Sequence, residues 1–152
     1  MSFLINKLMP DTNTRERYIT LSLWVIFCLV SIKLIIYSVK YQEELNVVRR
    51  IQKSVSPAIS CIDYLFVYPG SYSRTYNKST IYLKVRRPDG TFYGDHTLRF
   101  VLLHEVSHII CEVSDYGKQT PHSEDFHKVF DKVRELAYDA GVLEKRPIDP
   151  TY

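Results

Sequence analysis

The chain has 152 residues, of which 45% are hydrophobic and 13% aromatic, and a formal net charge of +3. That length suits one compact domain with a short appendage, and the composition excludes a disordered chain. From residue 41 onward 15 Lys/Arg balance 15 Asp/Glu, which leaves no basic excess of the kind phosphate binding needs; the three cysteines, Cys28, Cys61 and Cys111, contain no Cys-x-x-Cys pair and so form neither a disulfide framework nor a cysteine zinc knuckle.

Residues 1–17 read as a polar, poorly ordered N-terminal tail. Ile19–Val39 is an apolar run of 21 positions whose only charge is Lys33. A helix of that length matches a ~30 Å hydrocarbon core. Tyr18, Trp24, Tyr37 and Tyr41 supply aromatic rings, most of them near the ends of the run, where interfacial rings sit well. Lys33 can snorkel toward headgroups. The run is longer than the apolar core of a signal peptide, and no A-x-A-like site follows it. Residues 18–40 are therefore expected to be one transmembrane helix. The remainder, 41–152, is expected to be the compact domain.

Glu43–Ser56 reads as a separate amphipathic helix, with Leu45, Val48, Ile51 and Val55 on one side and Pro57 as its stop. Ile59–Tyr68 is rich in β-branched and aromatic residues and predicts a strand ending at Pro69-Gly70. Ser71–Ser79 reads as a polar loop. Thr80–Arg87 alternates, Ile81, Leu83 and Val85 against Tyr82, Lys84 and Arg86, which predicts a half-buried strand. Pro88-Asp89-Gly90 is a turn, with Thr91–Tyr93 returning as a short strand. Asp95 or Thr97 can cap a buried helix running to about Val113. A last helix is expected from Pro121, capped by Thr120, to Ala140, with Gly141 as its left-handed stop.

The chemistry lies in His104-Glu105-Val106-Ser107-His108. Histidines four apart on a helix project from one face, and two imidazole nitrogens at that spacing can hold one Zn²⁺. Glu105, one residue on, can take a proton from the attacking water and return it to the leaving amine. An unliganded pair of imidazoles and a carboxylate would be costly inside an apolar helix, and a metal removes that penalty. A catalytic zinc takes three protein ligands. The metzincin continuation is excluded, because Cys111 and Ser114 stand where it needs Gly and His. The third ligand is then sought among His122, His127, Glu112, Asp115, Glu124 and Asp125. His122 is favoured, since a loop can bring it back to the metal.

The stretch from about Leu45 to Leu143 resembles the WLM family of zinc metallopeptidases, close to the SprT/Spartan group. The matching features come in order: Ser56-Pro57 ending a helix, a strand leading to Pro69, Asn77 before Ile81-Tyr82-Leu83-Lys84-Val85-Arg86, the His-Glu-x-x-His helix, and His122-Ser123-Glu124-Asp125-Phe126 as the family's H-x-x-x-F. The resemblance implies an α+β zincin-like fold in which a small antiparallel or mixed sheet packs on the active-site helix. It implies His104, His108 and His122 as zinc ligands and Glu105 as the catalytic acid–base. The Thr80–Arg86 strand is then a sheet strand and, in such folds, an edge strand can pair with an extended protein substrate.

The function expected is that of a membrane-anchored zinc endopeptidase acting on protein or peptide. Alternatives are a catalytically weak metal-binding scaffold and a DNA-associated protease of the crosslink-repair type. The charge balance disfavours nucleic acid as a partner. Lys/Arg counts on the two flanks of the apolar run, with the unpaired cysteines, lean toward a single-pass protein whose peptidase domain faces the cytoplasm.

Overall fold

The computed structural model describes residues 12–111 and 122–152. Its architecture is α+β: a long N-terminal apolar helix α1 (Thr12–Val55), strands β1 (Phe66–Pro69), β2 (Arg74–Tyr76) and β3 (Thr80–Leu83), then helices α2 (Asp95–Ile110) and α3 (Glu124–Asp139). The chain divides into two compact units, Met1–Lys40 and Tyr41–Tyr152.

The sequence predicts two helices where the structure has α1 alone. No glycine or proline falls between Thr12 and Val55, so nothing interrupts the backbone ladder. For the same reason Thr12–Arg17 is helical and not part of a loose tail; residues 1–11 lie outside the described residues. In the first unit, apolar side chains such as Trp24, Phe27 and Ile35 are exposed. By length and composition α1 can cross a membrane, and its position near the N-terminus also fits a signal sequence.

In the second unit Val47, Val48, Ile51 and Val55 of α1 enter the core, while Leu45 is only half-buried. Gln52 explains why Ile59–Tyr68 is not one strand. Its Nε2 donates to the carbonyls of Ile62 and Leu65 at 2.8 and 3.0 Å, so those acceptors are satisfied by α1 and not by a sheet partner. Ser60–Tyr64 accordingly forms a 3-10 turn, and pairing begins at Phe66.

The sheet order is β1-β3-β2, with β1 parallel and β2 antiparallel to β3. The Thr80 strand is thus central, not an edge, and the segment expected as a polar loop supplies edge strand β2. Asn77 (φ 48°) and Lys78 (φ 52°) turn the chain from β2 into β3; two successive left-handed residues reverse it within a short span. The predicted alternation holds, since Ile81, Leu83 and Val85 are buried. The return strand reduces to an Arg86–Phe92 bridge across the turn at Gly90. Arg86 also pairs with Glu43 and Glu44 at 2.9 and 2.8 Å, tying this turn to α1.

The sheet packs on α2. Neither expected residue caps that helix. Gly94 occupies the N-cap without a side-chain bond, and Asp95 lies in the first turn, where its charge suits the helix dipole and meets Arg50 at 2.7 Å. Thr97 instead accepts from the backbone N–H of Asp149 at 3.1 Å. The helix ends at Ile110, short of Val113, which lies outside the described residues, as do Thr120 and Pro121. The cap of α3 is Ser123, whose hydroxyl accepts from the Phe126 N–H, so the helix starts at Glu124. It ends at Asp139, with Gly141 left-handed (φ 67°) just beyond. Phe126, Phe130, Val133 and Ala137 form its buried stripe. Burying a large apolar side chain stabilises by roughly 1.5–3 kcal/mol, whereas an exposed pair such as Lys128–Glu124 is screened by water. The stripe therefore decides which side of α3 faces α2.

Candidate metal centre

Two helices meet around three imidazoles. His104 and His108 lie one turn apart on α2, and His122 sits two residues before α3, brought back beside them by the packing of α3 on α2. His104 Nε2 is 3.3 Å from His108 Nε2 and 3.1 Å from His122 Nε2. One nitrogen atom from each of the three rings falls within 4.8 Å of the others.

A ring nitrogen offers one in-plane site, either a lone pair or a proton. His104 Nε2 cannot serve two imidazole neighbours well by hydrogen bonding alone. A shared cation satisfies all three. Nitrogens held ~2.0–2.1 Å from a tetrahedral ion lie roughly 3.3 Å from one another, close to the two spacings from His104 Nε2. Burial, then the neighbouring His108, His122 and His127 rings, push His104 from 6.5 to about 4. At neutral pH it is uncharged and keeps a lone pair for a metal.

The rings rest on an aromatic floor from α3. Phe126, 1% exposed, stacks on His108 at 4.3 Å between centroids and meets His104 and His122 at 5.0 and 4.9 Å. Phe130 contacts His104 edge-to-face at 5.1 Å. Such packing restricts ring rotation and fixes where the nitrogens point.

Glu105 is buried, 6% exposed, on the residue next to His104. Its Oε2 lies 2.9 Å from Thr75 Oγ1, which donates to it from β2. The same hydroxyl is 2.9 Å from the Glu105 carbonyl oxygen. Nearby on β2's N-terminal flank, the Ser73 hydroxyl bonds Tyr152. Burial, opposed by the Ser73 hydrogen bond and reinforced by the Glu105 charge, raises the Tyr152 phenol to about 12.

Of the other ligands weighed, His127 stands on α3 with its ring 6.3 Å from that of His122 and is not in the cluster. Glu124 and Asp125 are exposed and pair with Lys128. Glu112 and Asp115 lie outside the described residues. Thr75 was hidden in the supposed loop, although Arg74-Thr75-Tyr76 before Asn77-Lys78 carried the β-branched and aromatic character of a short strand. If the three-histidine set is the ligand set, His122→Ala will lower zinc affinity more than ~100-fold, beyond the cost of losing a group that merely supports a ligand. His127→Ala will change it less than about tenfold. Competition with a chromophoric chelator measures both, and a larger loss in Asp115→Ala would replace His122.

Fold and site define an α+β protein carrying a three-histidine group of metal-binding type. No protein-family model and no solved structure matches the chain. It is similar to uncharacterized protein 136R of Invertebrate iridescent virus 6, with 29% identity over 87 residues. That match covers 55% of this chain and 46% of the viral protein, so it spans about half the relative's length.

Proposed function

We propose that this chain is a zinc-dependent metalloendopeptidase of the kind the WLM resemblance implies, held to a membrane through residues 18–40 with its catalytic unit on the cytoplasmic side. The observation that carries this reading is the convergence of His104, His108 and His122, with the buried Glu105 next to His104 in the sequence of α2. Three imidazole nitrogen donors suit zinc. Phe126, the last residue of the H-x-x-x-F segment, packs under all three rings, which supports the family reading of that segment.

When bound, zinc supplies Lewis-acid polarisation of a carbonyl and makes water acidic near neutral pH. The chain's own residues do the rest. His104, His108 and His122 hold the ion, and Phe126 and Phe130 keep their rings in place. Glu105 accepts the proton of the attacking water and delivers it to the leaving amine. An extended polypeptide can be aligned by backbone hydrogen bonds to the outer edge of β2, the strand whose Thr75 touches Glu105.

The test is cleavage of an unfolded, casein-like protein by the full chain in detergent or nanodiscs. A chelator should abolish cleavage and added zinc should restore it. Cleavage indifferent to the chelator would end the metallopeptidase reading.

A further inference from the structure

Glu105 is one residue, about 100° of helix rotation, from His104. Its long side chain has three torsions with which to find or miss the reacting water. One contact that holds it comes from outside α2. Thr75 lies on β2 opposite Ile81 of β3, and its Oγ1 reaches Glu105 Oε2 at 2.9 Å. Threonine is β-branched and restricted about its first torsion, so the hydroxyl is placed by the β2 backbone. That backbone is in turn placed by pairing with β3. The same Oγ1 stands 2.9 Å from the Glu105 carbonyl oxygen, so its single proton lies between two acceptors of the same residue.

We propose that Thr75 is the positioning residue for the Glu105 carboxylate, setting its orientation from edge strand β2. This rests on the reading of Glu105 as the acid–base group. The bond does not touch the metal ligands, so its loss should leave zinc in place. It should also leave substrate binding nearly intact while misplacing the proton acceptor, which lowers kcat and not KM.

The full chain, with its zinc, is assayed as Thr75→Val, Thr75→Ser and Glu105→Gln. Thr75→Val keeps the shape and removes the donor. It should keep its zinc and hold KM within about twofold while kcat falls about tenfold or more. Thr75→Ser restores the hydroxyl and should recover most of the rate. In a Glu105→Asp background, where the shorter side chain withdraws the carboxylate from Thr75, the valine substitution should cost less than about a further twofold. A wild-type kcat in Thr75→Val, with Glu105→Gln inactive, overturns the role of Thr75 and spares that of Glu105. An equal loss in both backgrounds also overturns it, since Thr75 would then act on the fold. Activity in Glu105→Gln removes the acid–base reading and this inference together. Should the valine chain lose its zinc, Thr75→Ala, which adds no methyl against its neighbours, is judged by the same criteria.

Discussion

Glu105→Gln should leave the fold and the zinc content unchanged and lower the rate of peptide cleavage by roughly 10²–10⁴-fold, the usual worth of a placed general acid–base. The amide is nearly the size of the carboxylate and can still accept from Thr75 Oγ1, so the contact 2.9 Å away survives and the change isolates the proton. Zinc measured by mass spectrometry and kcat/KM measured on one unfolded substrate suffice. A glutamine variant that is as active as wild type would mean that Glu105 is a structural carboxylate. A variant without zinc would mean that the carboxylate supports the metal directly.

His104→Ala and His108→Ala should each take the metal from about one ion per chain to nearly none. Two donors remain in each variant, and the loss should exceed the ~10–100-fold that follows removal of a group merely supporting a ligand. Stability should follow, because the metal binds the folded chain. An ion present at 100 times its dissociation constant contributes about 2.7 kcal/mol. The variants should melt at a lower temperature than the zinc-loaded wild type, and chelator should shift their melting little. Both rings rest on Phe126, so part of any drop is lost packing. The chelator comparison separates the two contributions, since packing loss is unaffected by chelation.

The two histidines on α2 were legible as a pair because a helix converts sequence spacing into geometry: residues four apart share a face whatever surrounds them. His122 needed more, since its approach depends on α3 docking through the Phe126–Ala137 stripe, and that stripe shows the 3.6-residue period. The break between α1's two expected halves was misread for a simple reason. A change from apolar to amphipathic composition does not by itself end a helix, and no glycine or proline stands between Thr12 and Pro57 to break it. The 3-10 turn at Ser60–Tyr64 depends on a side chain of α1, Gln52, accommodating two carbonyls, and β-propensity carries no trace of such a partner. Thr75 was missed because three-residue edge strands give too few positions for alternation to register.

X-ray absorption at the zinc edge, on the full chain purified without added metal, tests the central claim most directly. The account predicts one zinc per chain with three imidazole nitrogens at ~2.0–2.1 Å and one oxygen donor, losing a nitrogen in His122→Ala. A sulfur donor at ~2.3 Å, or a zinc environment unchanged by substitution of His104, His108 or His122, would contradict it.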